Sequence, residues 1–308
     1  MPMPVYASID AGANAVRMLI ADFDPEKGRA GFKRLRYERR TTRLGSFEGG
    51  SLSENRMRAT LETLKEYCQI ISDYAPDRVR AVGTSAFREA PNSKDLLREV
   101  FYETGIRIEV ISPEREARLT ALGVAYFLPD LPAHALILDV GGGSTEWVLL
   151  KEKTLIKWGS IPVGVVKLWD RIKGLSDWEG VLEKELSAFS FTLKENFPSL
   201  PEDSLTLIET GGTASTIAMM DLELPRYEHE RIHGHRVGIE RLKELYRKIK
   251  KTPLAERALL KGLPPDRADL IMPGIGLTII TMEMFGMNGI VISDTGLPEG
   301  IIIEALRH

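Results

Sequence analysis

The pattern of hydrophobic and polar positions predicts two β-hairpins, of which Leu136–Leu150 is the clearer. A run of aliphatic residues ends in Asp139, three consecutive glycines follow at Gly141–Gly143, and a second apolar run begins after Glu146. Three glycines cannot hold a helix and readily adopt positive φ angles, so the pattern favours strand, glycine turn, strand. We therefore predict two antiparallel strands joined by this glycine turn.

A second copy of this pattern opens the chain at Val5–Ile20. Both stretches run from an apolar strand through Asp, one residue and Gly to a small polar loop and a second apolar strand. Repetition on this scale predicts two similar domains, each with a glycine turn after its first strand. The alternative is a chance similarity between two hairpins. Laid on each other without a gap, the stretches align Asp10 with Asp139, Gly12 with Gly141, and Arg17 with Glu146.

The rest of the chain alternates strand-like and helix-like segments, which is typical of α/β proteins. Apolar or alternating runs predict strands at Gly31–Arg40, Arg78–Ser85, Ile106–Ile111, Thr154–Val166, Leu205–Glu209 and Ile290–Leu297. Helical spacing and helix-start residues predict helices at Asn55–Ala75, Lys94–Thr104, Ser112–Phe127, Asp177–Phe197, Leu270–Phe285 and Gly300–Leu306, with another from Ala214 onward.

Length and composition narrow the class of protein. The 308 residues exceed one typical core, so we expect domains at 1–130 and 131–308, with the last helix able to pack back on the first. The single cysteine, Cys68, falls on an apolar helix face, which predicts a core thiol in a reducing cytoplasm.

A net charge of -3 gives no global attraction for nucleic acid. The most membrane-like stretch, Ile271–Ile292, contains proline, glutamate and glycines, so we predict a buried helix and strand there, and no membrane partner.

The glycine turn of Leu136–Leu150 carries the clearest candidate chemistry. Glycines that bare their backbone N–H groups form a concave anion site, and Ser144 and Thr145 add donors. Carboxylates at both ends of such a loop would repel a phosphate, unless a divalent cation lies between them and the anion. Asp139 and Glu146 are therefore predicted metal ligands beside a bound phosphate. The alternative is a hairpin turn that merely needs glycine.

Two further segments suit an anion at the carboxyl ends of strands. Thr84 and Ser85 end one predicted strand, with Arg88 just beyond, and Thr210–Thr213 joins another strand to a helix. Hydroxyls, glycine amides and a helix N-terminus are groups that bind phosphate at this edge of a sheet. For the arginine, a surface salt bridge to a neighbouring acidic residue is equally compatible with the sequence.

Glu116 is a candidate general base. It lies in the first turn of a helix that begins after Ser112, where acidic residues also favour the helix dipole without any function. Its place after a strand, in the same domain as the first glycine hairpin, would let it project towards a bound phosphate. His233 and His235 could bind a metal, but no zinc-like spacing surrounds them, which favours paired or solvated histidines.

Several familiar phosphate motifs are absent. The sequence contains no G-x-x-x-x-G-K-[ST] loop, no dinucleotide glycine pattern and no basic patch interleaved with aromatic residues. The residues therefore indicate phosphate chemistry without a nucleotide-specific signature.

Seven motifs together resemble the exopolyphosphatase / guanosine pentaphosphate phosphohydrolase family, in its short two-domain form. In chain order they are ASIDAGANAVRMLI, TSAFREAPN, ISPEREARL, LDVGGGSTE, ETGGTAST, HG and ISDTGLPEG. That family belongs to the actin, sugar-kinase and Hsp70 ATPase superfamily. The resemblance covers nearly the whole chain and implies an α/β fold of two ribonuclease-H-like domains with a phosphate-binding cleft between them.

The resemblance also implies an activity, a metal and site residues. The activity is removal of the terminal phosphate from inorganic polyphosphate or from guanosine pentaphosphate (pppGpp), with Mg²⁺ or alternatively Mn²⁺, in a cytoplasmic homodimer. The family's catalytic glutamate precedes an Ala-Arg pair, which places it on Glu116, and its metal ligands carry over to Asp139 and Glu146. The expected phosphate-binding residues are Asp10, Gly12, Asn14, Arg17, Thr84, Arg88, Gly141, Gly142, Gly143, Ser144, Gly211, Gly212 and Thr213.

Two departures from the family pattern bear on these expectations. The first loop reads Gly12-Ala13-Asn14-Ala15, where the family usually has hydroxyl residues on both sides of the asparagine, so two donors are lost. Many long members continue into a further helical domain, whereas this chain ends at His308, which favours short polyphosphate or a nucleotide. The alternatives are a catalytically weak sensor of polyphosphate or alarmone, and a small-molecule kinase of the same superfamily.

Overall fold

The computed structural model of the protein describes residues 3–197 and 205–306. These residues form two compact units. The first contains the chain up to Phe127 together with the segment from Gly296 onward, and the second is Leu128–Thr295. The last helix, Leu297–Ala305, therefore belongs to the N-terminal unit, where it packs against the first strand and against the helix Pro113–Phe127.

Within the described residues, the first unit is built on a five-stranded mixed sheet. Its elements are β1 (Val5–Ala11), β2 (Ala15–Phe23), β3 (Phe32–Thr41), α1 (Glu54–Asp73), β4 (Arg78–Gly83), α2 (Ser85–Glu89), α3 (Ser93–Thr104), β5 (Ile108–Val110), α4 (Pro113–Phe127) and the last helix, α12 (Leu297–Ala305). The strand order is β3–β2–β1–β4–β5. The first three strands are antiparallel, and β4 and β5 run parallel to β1.

Both faces of this sheet are covered, which explains the nearly continuous apolar runs of β1 and β2. On one face, Ile9 and Met18 pack into a cluster with Leu64 of α1. On the other face, Leu19 packs with Ile302 of α12. The sheet therefore lies between two helical layers, with α12 in the layer that also contains α4.

The second unit has a six-stranded sheet in the part of the chain that the structure describes. Its elements are β6 (His134–Val140), β7 (Thr145–Lys151), β8 (Thr154–Ile161), α5 (Val165–Ile172), α6 (Trp178–Glu195), β9 (Thr206–Thr210), α7 (Gly211–Asp221), α8 (His229–Ile232), β10 (Arg236–Gly238), α9 (Ile239–Lys251), α10 (Leu254–Arg257), α11 (Ile271–Met284) and β11 (Gly289–Ser293). The strand order is β10–β11–β9–β6–β7–β8.

The two sheets share one topology. Each starts with a three-stranded antiparallel meander, β1–β3 or β6–β8, and adds two strands parallel to the first strand of the meander. The order β8–β7–β6–β9–β11 repeats the order β3–β2–β1–β4–β5, with β10 added at one edge. The prediction of two ribonuclease-H-like α/β domains is confirmed, as are both glycine hairpins.

Some predicted boundaries are wrong by a few residues: the strand predicted to reach Val166 ends at Ile161, and helix α5 begins at Val165. Capping explains a second case. The last strand ends at Ser293 rather than Leu297, and the last helix begins at Leu297 rather than Gly300. Pro298 is well suited to a first helical turn, and the amide of Gly296 donates to Glu299 at 2.8 Å. Because of these contacts, the helix begins three residues before the position that the spacing of its apolar residues indicated.

The segment Ile271–Ile292 folds as the predicted helix and strand, α11 and β11. Among the described helices, none combines the length and the apolar character that crossing a bilayer requires. Cys68 lies half-buried in α1 rather than in the core as predicted, and burial raises the pKa of its thiol.

Glu299→Ala is expected to lower the free energy of unfolding by about 3–5 kcal/mol, because the substitution breaks a buried ion pair. Oε1 of Glu299 lies 2.6 Å from Nη2 of Arg34, and the two side chains are 2% and 16% exposed. Denaturant unfolding measures the loss. The matched control is Glu304→Ala on the same helix, whose more exposed pair with Arg115 is expected to contribute less than about 1 kcal/mol. Equal losses from both variants would contradict this account.

Candidate active site

The glycine turn between β6 and β7 is closed by the amide of Gly141, which donates to the carbonyl of Ser144 at 3.0 Å. None of the three glycines has a positive φ angle, so the expected reason for glycine here is wrong. The carbonyls of Gly141 and Gly142 instead accept the first amides of α5, from Val165 at 3.0 Å and Val166 at 2.9 Å. The turn's carbonyls thus cap a helix, and the amides that follow Gly141 in the turn are the groups left for an anion.

Asp139 and Glu146 lie directly opposite each other across β6 and β7, and both are buried. Side chains at such positions have Cβ atoms about 5 Å apart, so two carboxylates are brought together on one face. Oε1 of Glu146 accepts the hydroxyl of Ser160 at 2.7 Å. The described residues contain no group of three or more His, Cys, Asp or Glu arranged to hold a metal. Two carboxylates still fit Mg²⁺, which completes its shell with water and phosphate oxygens.

The second glycine turn, Gly211–Thr213, forms the first turn of α7 and lies beside Asp139. Residue 211 has a φ of 86°, and a Cβ there would lie 2.5 Å from Oδ1 of Asp139, so only glycine fits. Thr210 precedes the helix, but its hydroxyl donates to the carbonyl of Thr295 at 2.9 Å instead of capping the helix. The first amides of α7 therefore lack that side-chain cap, which suits an anion.

Asp10 and Arg17 are the corresponding pair in the first unit. They lie opposite each other across β1 and β2, with Nη1 of Arg17 3.5 Å from Oδ2 of Asp10. Gly12 closes the turn between the strands, because its amide donates to the carbonyl of Ala15 at 3.0 Å. The first hairpin thus places a buried carboxylate and an arginine where the second hairpin places two carboxylates.

Asn14 lies in the same turn and is 6% exposed. Neither polar atom of its side chain has a hydrogen-bond partner among the described residues. Buried polar groups are nearly always hydrogen-bonded, so this amide is a candidate ligand-binding group. The neighbouring Ala13 packs into the core, where its Cβ lies 2.5 Å from the place that a Cβ on Gly45 would take.

Glu116 and Arg88 form an ion pair, with Nη1 of Arg88 2.7 Å from Oε2 of Glu116. The same nitrogen donates to the carbonyl of Ile111 at 3.0 Å, and Glu116 is 7% exposed. The arginine is therefore not the surface salt bridge that the sequence left open. Thr84 follows β4, and its amide donates to the carbonyl of Ala11 at 3.2 Å, which places it at the end of β1.

The two pairs of the first unit lie on the same side of its sheet. Asp10 is opposite Val82 of β4, so their side chains share a face. Val82 packs with Leu119 of α4, and Leu119 is one helical turn from Glu116. The face that carries Asp10 and Arg17 is thus the face on which the Glu116 helix packs.

Glu209 is a buried acid that the sequence prediction missed as a site residue. It is fully buried at the end of β9, and burial, with the charge of Asp139 adding to it, raises its pKa to about 8. Oγ1 of Thr278 lies 2.8 Å from its Oε2 and 3.1 Å from the carbonyl oxygen of Gly274. The Thr278 hydroxyl donates to the carboxylate and so lowers the pKa of Glu209, but the opposing effect of burial is larger. The sequence feature that could have identified Glu209 is a charged residue in an otherwise apolar predicted strand.

Glu209→Gln is expected to flatten the pH dependence of stability. The folded pKa of about 8 exceeds the ordinary value of 4.5, so the folded state holds a proton that the unfolded chain has lost between these pH values. Wild-type stability should therefore fall as pH rises from about 4.5 to 8, by an amount on the order of a few kcal/mol. Denaturant unfolding midpoints, measured at several pH values between about 5 and 8.5, report this fall in stability. Glu240→Gln, at an exposed position of α9, is the control that should keep the wild-type slope; a wild-type slope in Glu209→Gln would contradict the assignment.

The histidines of Tyr227–Arg236 are paired, as the sequence favoured. Nε2 of His235 lies 2.7 Å from Asp221, and Nδ1 of His233 accepts the amide of Asp294 at 3.1 Å. These contacts explain the histidines without a metal.

Comparison with family models matches residues 20–308 to the Ppx/GppA phosphatase family. The chain belongs to this family. Among curated relatives, Exopolyphosphatase 2 of Mycobacterium tuberculosis is 28% identical over 326 residues, covering 99% of each chain. A bifunctional 3-dehydroquinate synthase/phosphatase of Fusobacterium nucleatum is 29% identical over 312 residues, which are 98% of this chain and 46% of that protein.

Solved structures of Ppx/GppA proteins share the whole fold. The crystal structure of the Aquifex aeolicus family member is 31% identical, has a TM-score of 0.82, and covers 99% of this chain and 98% of its own. An exopolyphosphatase from Cytophaga hutchinsonii is 25% identical with a TM-score of 0.88, covering 98% of both chains. The resemblance inferred from the seven motifs is therefore confirmed.

In this Ppx/GppA family member, the predicted site residues fall into two sets. The first unit brings together Asp10, Gly12, Asn14, Arg17, Thr84, Arg88 and Glu116. The second unit brings together Asp139, Gly141, Gly142, Gly143, Ser144, Glu146, Gly211, Gly212 and Thr213. One set combines carboxylates with arginines, and the other combines two carboxylates with two glycine turns, which are the groups that phosphoryl chemistry uses.

Proposed function

We propose that this protein is a phosphohydrolase that removes the terminal phosphate of inorganic polyphosphate. The observation that carries the proposal is the buried pair Asp139 and Glu146, flanked by the glycine turn of β6–β7 and the uncapped start of α7. Full-length similarity to proteins named exopolyphosphatase supports it. The 5′-phosphate of pppGpp is a second substrate of the same chemical class, because it too is the end of a phosphoanhydride chain.

In the proposed reaction, a water oxygen attacks the terminal phosphorus in line with the bridging oxygen. Glu116 accepts the proton of that water, and the bond to the bridging oxygen breaks, which yields phosphate and a chain shorter by one unit. Arg88 orients Glu116, since the two are joined at 2.7 Å. Arg17, Arg88 and the amides of the glycine turns hold the phosphoryl oxygens.

Mg²⁺, or Mn²⁺ in its place, fits the donors of this site. Asp139 and Glu146 would hold the ion, which supplies positive charge to the phosphoryl oxygens when bound. Two oxygen donors and no nitrogen or sulfur donor favour such a hard cation over zinc.

The test is phosphate release from polyphosphate, pppGpp and ATP, measured side by side with and without Mg²⁺. Release from polyphosphate or pppGpp without an acceptor supports the hydrolase and ranks its substrates. Loss of ATP that depends on an added acceptor would instead indicate a kinase. Tight binding of polyphosphate with no release would instead indicate a sensor.

A further inference from the structure

Ser160 is the third member of a row of polar side chains that crosses three strands of the second sheet. Asp139 of β6 lies opposite Glu146 of β7, and Glu146 lies opposite Ser160 of β8. Cross-strand neighbours share one face of a sheet, so the three side chains lie side by side with Glu146 in the middle. The reaction proposed above gives this hydroxyl no part.

The place of Ser160 in the row is fixed by close packing at the neighbouring residue. Gly159 lies opposite Trp147, and a Cβ at residue 159 would lie 2.4 Å from Cζ2 of the tryptophan ring, which is 1% exposed. The ring therefore fits against β8 only where that strand has a glycine. Because a slip by one residue would turn every side chain to the other face, this fit holds Ser160 beside Glu146.

The two carboxylate oxygens of Glu146 have different surroundings. Oε1 accepts the hydroxyl of Ser160 at 2.7 Å, while Oε2 is the nearer to the glycine turn, 3.9 Å from the place that a Cβ on Gly141 would take. Glu146 is 2% exposed, so the bond also satisfies an oxygen that is shielded from water. A hydroxyl that donates to a carboxylate holds its orientation and draws negative charge from the accepting oxygen. Oε2 is therefore the better metal ligand of the two.

This difference between the oxygens matters for the choice of metal. Mg²⁺ is small, demands a near-ideal octahedral shell and is bound through one or two carboxylates, whereas Ca²⁺ takes more oxygen ligands and accepts both oxygens of one carboxylate. A Glu146 side chain with one oxygen already hydrogen-bonded is better suited to the smaller ion.

The first unit has a different residue at the place equivalent to Ser160. There the row runs from Asp10 through Arg17 to Arg39, so an arginine occupies the third position. The hydroxyl thus accompanies the hairpin that carries two carboxylates, as expected if its role concerns that pair.

We propose that Ser160 is a positioning residue for Glu146 and makes the site select Mg²⁺ over Ca²⁺. By holding Oε1, the hydroxyl presents Oε2 to the metal and weakens the carboxylate as a ligand through both oxygens. This inference rests on the proposed phosphohydrolase function, in which Asp139 and Glu146 hold the metal.

Calorimetric titration of wild type, Ser160→Ala and Ser160→Thr with Mg²⁺, and separately with Ca²⁺, tests the proposal. Ser160→Ala should weaken Mg²⁺ binding by about 10–100-fold, the loss typical when the partner of a metal-binding side chain is removed. Ca²⁺ binding should weaken less, because Oε1 becomes available to the larger ion, so the preference for Mg²⁺ should fall. Ser160→Thr keeps the hydroxyl and should bind both ions as wild type does.

Thr281→Val is the matched control, because it removes another hydroxyl of the same unit. Thr281 is fully buried in α11 and donates to the carbonyl of Leu277 at 2.8 Å. The control should lower the unfolding temperature without changing the binding of either ion. An unchanged Mg²⁺ affinity in Ser160→Ala, an equal loss for the two ions, or the same losses in Thr281→Val would each overturn the proposal.

The titrations also separate a failure of this inference from a failure of the proposed function. Wild-type protein that prefers Mg²⁺, loses that preference in Ser160→Ala and yet releases no phosphate would overturn the proposed function and leave the role of Ser160 standing. Wild-type protein that binds neither ion would overturn the metal assignment and the role of Ser160 together.

Discussion

Glu116→Gln is expected to reduce kcat for phosphate release by about 10²–10⁴-fold, the contribution typical of a positioned base. Glutamine keeps the shape of the side chain and a contact with Arg88, but it cannot accept a proton from water. KM should change little, because Glu116 acts on the water rather than on the phosphate chain. Phosphate release under Mg²⁺ saturation measures the effect.

Glu114→Gln provides the matched control for this prediction. Glu114 lies two residues earlier in α4, but its side chain is 47% exposed and pairs with Arg118 on the helix surface. Its loss should leave kcat within about threefold of wild type, as expected for a surface pair. A Glu116→Gln variant that turns over at the wild-type rate would exclude Glu116 as the base.

Asp139→Asn is expected to reduce kcat/KM by about 10²–10³-fold and to raise the Mg²⁺ concentration that half-saturates the protein. The substitution removes one of the two charges that face each other across β6 and β7, while asparagine keeps the contact with the glycine at 211. Calorimetric titration with Mg²⁺ gives a readout besides activity. The loss of kcat/KM and the loss of Mg²⁺ affinity should occur in the same variant.

Asp221→Asn controls for the loss of a carboxylate elsewhere in the same unit. Asp221 pairs with His235 and Arg241 and has no role in the proposed reaction. Its kcat/KM and its Mg²⁺ affinity should equal those of wild type. If Asp139→Asn bound Mg²⁺ as tightly as wild type does, the metal assignment to this pair would be wrong.

The fold and much of the candidate site could be predicted because their signals are local. A glycine turn between two apolar runs determines a hairpin, and antiparallel pairing then places Asp139 opposite Glu146. The repeat of that pattern at Val5–Ile20 predicted the first unit in the same way. The alternation and spacing of apolar residues are enough to predict a feature that depends on residues close in sequence.

Features that depend on distant contacts could not be predicted. Glu209 ends a predicted strand, yet its burial and raised pKa come from packing that includes Thr278, 69 residues further along the chain. Arg267 could be seen to precede an apolar helix, but its contact with Gly212 follows only from the packing of the second unit. The reason for the glycines at 141–143 was also wrong, because the capping of α5 by their carbonyls is a tertiary contact.

The most direct test of the central claim is hydrolysis of polyphosphate in ¹⁸O-labelled water with Mg²⁺. The account predicts that wild type releases inorganic phosphate carrying one ¹⁸O atom from water, while the chains shorten one unit at a time from the end. Glu116→Gln run alongside should show the same products at a much lower rate. Release without ¹⁸O, cleavage inside the chain, or no release by wild-type protein that binds polyphosphate would contradict the account.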